Sequence, residues 1–323
     1  MNGYYVIRQG DEILSISKNI ITNEGKKLIA QNLCTQYNIW AGEIAIGAGT
    51  DTPLSTDTQL AFEYNRNVIS SMSSSPVDPT SYAIGNTGGS IRLIAKAVLD
   101  SNISGVIYET GLFSQARSST SYMTPFFYAS ISESWSYSSA TSNWNELSSL
   151  NNSFSTTGRA GGSQINLSSI TPVSNKRVLR YQFNGNLSYV KPNDTFKVAV
   201  VTSTTAGTGA TGPTIKFYTD ESSYYQYQYS TTKPITADYN ILSATKDNWT
   251  SGGSGNPSWD SIQYIDIEFN TSSPIQCSYL DSFRADQTAV DLSNVLISRS
   301  KLVTPVTKIQ GAPLEIEYYL DVF

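Results

Sequence analysis

A mainly β protein is predicted, with one short helix near the start and a two-part organisation. Three observations carry this. Short apolar runs recur along most of the chain between clusters of Gly, Asn, Pro and Ser, the punctuation of strands and turns. Hydrophobic residues make up 39% and charged residues 15% of the 323 positions, and the shortfall is filled by Ser, Thr, Asn, Gly and 21 Tyr, which suits strands with polar, uncharged surfaces. Helical periodicity is confined to one stretch, about residues 22–34. The length allows about two domains, each with its own core.

Tyr4 to Ser17 reads as a hairpin, with Val6/Ile7 and Ile13/Leu14/Ile16 flanking the turn Gln-Gly-Asp-Glu. In the helix that follows, Thr22 is the expected N-cap, Glu24 meets the positive end of the dipole, and Leu28, Ile29 and Leu33 form the apolar face. Ile44 to Ile46 is a short strand running into Gly47-Ala48-Gly49-Thr50. A Gly-x-Gly after a strand invites a nucleotide-binding reading, but the third glycine and the following helix are missing, so a plain loop is expected. Leu60 to Asn67 places Arg66 beside Glu63. Residues 70–90 read as an exposed loop, and Ile91 to Leu99 as a strand.

Ile103 to Ser114 is an apolar run broken by Gly105 and Gly111 and carrying one acid, Glu109, as expected of a buried turn into a strand. Residues 114–122 read as a linker. From Phe126 to Phe283 the texture changes. Trp135, Trp144, Trp249 and Trp259 and a tyrosine-rich stretch accompany short runs at Gln164–Ile170, Leu179–Leu187, Thr195–Thr202, Thr214–Thr219, Ile262–Phe269 and Ile275–Phe283, the pattern of an antiparallel sandwich. The four tryptophans are expected in its core. Val295–Leu302 and Leu314–Val322 close the chain as strands.

Composition removes several function classes. There is no His, which excludes Ser-His-Asp, Cys-His and His-metal chemistry. A formal net charge of -5 without a Lys/Arg cluster argues against nucleic acid or anionic membrane as partners. Cys34 and Cys277 match no metal or redox spacing and read as ordinary thiols, a disulfide being the minor alternative. No basic leader or bilayer-length apolar run is evident, so a soluble protein without a secretion signal is expected.

The ordered set Asn19-Ile20-Ile21-Thr22-Asn23-Glu24-Gly25, Ile44-Ala45-Ile46-Gly47-Ala48-Gly49-Thr50, Thr56-Asp57-Thr58-Gln59-Leu60, Glu63, Arg66 and Tyr108-Glu109-Thr110-Gly111-Leu112-Phe113 resembles the N-terminal domain of phage tail-collar fibre proteins. In that family the last element runs into a further strand, Pro, Lys and a closing strand; here these look like Leu296 to Ser300, Thr304-Pro305, Lys308 and Leu314 to Asp321. The resemblance implies a discontinuous virion-attachment domain, 1–115 plus 294–323, interrupted by an insertion at 116–293. Leu112 and Phe113 are then expected to pack against Ile297 or Leu314.

The insertion resembles a galactose-binding-like jelly roll of the carbohydrate-binding-module kind, on Trp135, Asn193-Asp194-Thr195-Phe196, Thr219-Asp220-Glu221 with Tyr224-Tyr225, Trp249, Gly255 to Ile262 and Tyr279 to Phe283. It lacks that group's glycine-rich calcium loop. Together the resemblances imply a non-enzymatic structural component of a tailed-phage virion in the tail, collar or baseplate. Its expected partners are other virion proteins and copies of itself, a trimer being favoured, and host-surface glycan. A decoration or head-fibre protein without ligand and a polysaccharide depolymerase are the alternatives.

Sugar rings stack on Tyr or Trp while Asn, Gln or Asp take their hydroxyls, and Asp220, Tyr224, Tyr225, Gln226, Tyr227 and Tyr229 supply both kinds of group. At period two, Tyr225, Tyr227 and Tyr229 share one face of a strand and Tyr224 and Gln226 the other, so one set could instead line the core. Asp281 and Glu133 are candidate ligands of a structural calcium, with a capping or turn role as the alternative for Asp281. Asp220/Glu221 and Asp260/Asp266 are the carboxylate pairs a glycosidase would need and read as surface acids.

Overall fold

The computed structural model describes residues 2–34, 41–76, 91–114, 123–128, 135–139, 144–147, 154–155, 158–159, 164–286 and 295–322. Eight strands come first: β1 (Asn2–Gln9), β2 (Glu12–Lys18), β3 (Ile20–Ile21), β4 (Glu43–Gly47), β5 (Glu63–Val68), β6 (Ser71–Pro76), β7 (Ile91–Leu99) and β8 (Gly105–Phe113), with the helix α1 (Asn23–Cys34) after β3. Next are β9 (Met123–Tyr128), β10 (Trp135–Ser138), β11 (Trp144–Glu146), β12 (Phe154–Ser155), β13 (Gln164–Asn166), β14 (Lys176–Gly185) and β15 (Thr195–Thr202). Then come β16 (Thr211–Asp220), β17 (Ser223–Ser230), β18 (Tyr239–Thr245), β19 (Thr250–Gly253), β20 (Ile262–Asn270) and β21 (Cys277–Asp286), and the chain ends with β22 (Leu296–Lys308) and β23 (Leu314–Val322). The fold is mainly β, and α1 is the one α-helix among the described residues.

The chain divides into two compact units, one of Met1–Ser121, Arg159–Gly161 and Val290–Phe323, the other of Tyr122–Gly158 and Gly162–Ala289. The first holds two five-stranded antiparallel sheets, β2-β1-β23-β7-β6 and β3-β22-β8-β4-β5. Tyr5 from one sheet shares a 2.7 Å hydrogen bond with the hydroxyl of Ser298 in the other, and both are buried. Gly10 takes a left-handed φ of 58° in the β1–β2 turn, as a tight hairpin requires. Thr22 caps α1 by accepting from the Gly25 amide at 2.9 Å, and its hydroxyl donates to the Leu296 carbonyl, tying the helix start to β22.

Glu109 is fully buried and organises this unit. Its carboxylate accepts from the amides of Gly49, Ala61 and Phe62 at 3.1, 3.1 and 2.8 Å and from Arg299 at 2.9 Å, and Arg299 also pairs with Asp57 at 2.6 Å. A Cβ on Gly47 or Gly49 would collide with the same carboxylate, so the glycines make room for an internal anion. Residues 71–76, expected as part of an exposed loop, form β6. An edge strand with both faces wet keeps its serines outside, which hides the alternation that marks a strand. Residues 77–90 of that expected loop, and 115–122 of the linker expected at 114–122, lie outside the described residues.

The 108–113 segment pairs with the chain's end: β8 and β22 run antiparallel with Leu296 opposite Phe113 and Ser298 opposite Leu112. Phe113 packs in a cluster with Ala45, Leu60 and Leu296. The register breaks between Lys301 and Val306, where Pro305 removes a ladder donor. Arg159 belongs to this unit although it falls within the expected insertion. Its carbonyl accepts from the Val106 amide at 3.0 Å and its guanidinium lies 4.4 Å from the Tyr108 ring centre.

The second unit is an antiparallel β-sandwich of the jelly-roll type. One sheet has the order β11-β10-β14-β20-β16-β17-β19, the other β12-β13-β21-β15-β18 with β9 also paired to β21. Its core is aromatic at the centre: Phe196 lies 5.2 Å from Phe217 and 5.1 Å from Trp249, and Phe217 lies 5.7 Å from Phe283, ring centre to ring centre. Leu179, Ile215, Ile265, Ile267 and Leu280 fill the space around them.

Candidate glycan-binding face

The two faces of β17 do different work. Its register sets Tyr225 opposite Phe217 and Tyr227 opposite Ile215, both core residues, so this set of tyrosines points inward. Tyr229 is fully buried and donates to the Phe196 carbonyl at 3.2 Å; Tyr227 packs edge-on against it at 5.1 Å. Tyr225 stacks flat on Trp259 at 4.1 Å and donates to the Pro257 carbonyl at 2.8 Å. These three rings, candidates for sugar stacking in the sequence, pack against the sandwich core, and burial holds the Tyr225 and Tyr229 hydroxyls above their ordinary pKa. Asp220 is a turn former. Its carboxylate accepts from the amide and hydroxyl of Ser222 at 2.7 and 2.8 Å, bonds that hold it below the usual carboxylate range.

Tyr224 and Gln226 lie on the outer face, and there the register assembles a ladder. Tyr224 is opposite Tyr218, and Tyr218 is opposite Tyr264. The ring centres of Tyr218 and Tyr264 are 4.7 Å apart and those of Tyr218 and Tyr224 4.9 Å, about the spacing of adjacent strands. The Arg180 guanidinium covers Tyr264 at 3.6 Å and Trp144 at 4.0 Å. On the far side, a Cβ on Gly252 would strike the Tyr224 ring, so the backbone of β19 closes that end. The faces of the three tyrosines are thus taken up by their neighbours. Trp144 is 40% exposed, with the Arg180 guanidinium against its ring.

Arg180 is fixed in place. It donates Nε and Nη2 to Asp266 at 2.7 and 2.8 Å, a two-bonded fork, and Asp266 is only 3% exposed. Burial raises the Asp266 carboxyl above its usual range despite this partner. Two residues along the strand, burial also works against the charge of Glu268, but Lys216 at 2.5 Å and Lys176 at 3.1 Å outweigh it and hold that carboxyl low. A rigid cation beneath an exposed indole makes a preorganised platform for an apolar ring face with polar groups beside it.

The other expectations resolve separately. Trp135 and Trp249 are buried core residues and Trp259 is half-buried against Phe196, but Trp144, expected in the core, is on the surface. Its flanks carried the signal: in Ser142-Asn143-Trp144-Asn145-Glu146 no apolar neighbour continues a core pattern. Nothing in the sequence marks Arg180, Tyr218 and Tyr264, because only strand register brings them together. Asp281 is fully buried and accepts from the Tyr239 hydroxyl at 2.7 Å. Among the described residues no group of three or more acidic or cysteine side chains is placed to hold a metal. Glu133 lies outside the described residues. Asp220 and Glu221 are exposed in a turn, Asp260 is exposed, and Asp266 is committed to Arg180. Cys277 is a free thiol whose pKa burial pushes up to about 12. No described helix is long and apolar enough to cross a membrane.

These observations define the class: a two-unit, mainly β chain whose second unit is a sandwich with an aromatic and ionic outer face. No protein-family model matches the chain, and no curated protein matches it. Among solved structures it is similar to one described as "Structural basis for the promiscuous specificity of the carbohydrate-binding modules from the beta-sandwich super family", at 14% identity, over 67% of this chain and 96% of that one, with a TM-score of 0.26. A likeness at that level carries no functional argument.

Proposed function

We propose that the chain is a non-enzymatic, glycan-binding structural component of a tailed-phage virion. Its first unit docks to the particle and its sandwich contacts host-surface sugar. The observation that carries the binding half is the Trp144 indole, 40% exposed and backed by a guanidinium that Asp266 locks. Sugar C–H faces stack on such a ring, and the nearby hydroxyls and amides of the sheet serve their oxygens. A single platform gives weak affinity, so the role implies many copies on one particle, in keeping with a trimer. A glycan array probed with the intact chain tests this half: binding lost in Trp144→Ala supports it, and no binding to any glycan overturns it.

The virion half is supported by the pairing of β8 with β22, which joins the two sequence segments that resemble the tail-collar domain. Imaging of an intact particle tests it: density for the first unit against the tail, collar or baseplate is expected, and absence of the chain from the particle overturns it.

A further inference from the structure

We propose that the outer face of the sandwich selects uncharged pyranose rings over acidic ones, and that Asp266 is the residue that sets this choice. The inference rests on the glycan reading above. An acidic sugar is captured by a guanidinium or ammonium with N–H groups to spare, best of all by a two-bonded arginine fork. On this face Asp266 already takes the Nε/Nη2 edge of Arg180 at 2.7 and 2.8 Å and balances its charge, and the same guanidinium lies 3.6 Å from the Tyr264 ring centre and 4.0 Å from that of Trp144. Lys216 and Lys176 are likewise held by Glu268, at 2.5 and 3.1 Å.

Each of these three cations therefore has its anion on the sheet. Register adds a further acid: Arg180 lies opposite Ser136 and Ser136 opposite Glu146, so Glu146 shares their row. Three cations, Arg180, Lys216 and Lys176, then face three acids, Asp266, Glu268 and Glu146. An acidic ligand that drew the Nε/Nη2 edge of Arg180 away would leave Asp266, 3% exposed, as a buried carboxylate without its cation, and one that bound the remaining N–H groups would meet a cation whose charge is already balanced. An uncharged pyranose needs only a ring face and neutral hydrogen-bonding groups. Trp144 offers the first, and Ser136, Ser138 and Gln182 on the neighbouring strands offer the second.

The test is titration of the intact chain, at fixed ionic strength, with neutral gluco-, manno- and galacto-oligosaccharides and with uronate-containing or sulfated ones of the same length. Neutral sugars binding reproducibly tighter than acidic ones of the same length is the supporting result. In Asp266→Asn, which frees the fork, the preference should narrow or reverse. The wild-type comparison stands whether or not that variant folds. Equal affinity for both classes, or a preference for the acidic ones, overturns the selectivity while leaving glycan binding intact. Binding to neither class overturns both.

Discussion

Ser114 and Val295 are 181 positions apart and hold each other by two hydrogen bonds, the Ser114 amide to the Val295 carbonyl and the Val295 amide to the Ser114 hydroxyl, both at 3.0 Å. One stands just past the end of β8 and the other just before β22, so the two segments that flank the intervening residues are joined at one point of the sheet, and Arg159 is a further return to this unit. Joining these ends by a short loop should leave a folded remainder with a cooperative melting transition by circular dichroism. Loss of Arg159, which lies on Tyr108, should lower its stability modestly. An unfolded product contradicts the two-part reading of this unit.

Glu109 and Arg299 form a buried pair that also pins the Gly47–Phe62 segment through three amides. Removing one partner leaves the other charged and buried, so Glu109→Ala should cost about 3–5 kcal/mol in denaturant unfolding. An exposed control such as Glu24→Ala should change stability by less than about 0.5 kcal/mol. Equal effects would mean that the network is not what holds the segment.

Asp286 gives the sandwich an acid limit. Burial opposes its charge, but Arg284 and Lys197 outweigh burial and hold its pKa below the ordinary value. A carboxyl whose folded pKa is depressed contributes stability above its unfolded pKa, and that contribution is lost as pH falls through the folded value. Stability of the second unit should therefore drop as the pH is lowered through and below the usual aspartate range, and Asp286→Asn should flatten the curve there. An unchanged pH profile in that variant would assign the acid sensitivity elsewhere.

Inward and outward aromatics should separate cleanly. Trp249→Ala, in the core, should cost about 3–5 kcal/mol. Trp144→Ala should stay within about 0.5 kcal/mol and yet remove sugar binding. A folded Trp144→Ala protein that binds as well as wild type would mean that this exposed ring is not the platform.

Much of this was legible in the sequence. Thr22 announced the helix start, the Gly10 turn announced the first hairpin, and the runs at Thr195–Thr202 and Ile262–Phe269 became strands with almost those bounds. What escaped depended on partners distant in sequence. The tyrosines of β17 alternate identically whether a core lies on one side or the other, and only the register against Phe217 and Ile215 decides which set is inside. Arg180, Tyr218, Tyr264 and Trp144 are spread over 120 positions' worth of strands and turns and meet only because β11, β10, β14, β20 and β16 are ordered as they are. Residues 71–76 escaped because a polar edge strand has no apolar side to betray it.

The most direct measurement is nuclear magnetic resonance of the intact chain titrated with a neutral oligosaccharide, with the five tryptophan indole N–H signals assigned by substitution. The Trp144 signal should shift together with amides of β14 around Arg180, while those of Trp249 and Trp135 stay in place. Saturable shifts centred on Trp259 or elsewhere, with Trp144 unmoved, would contradict a binding site on this face.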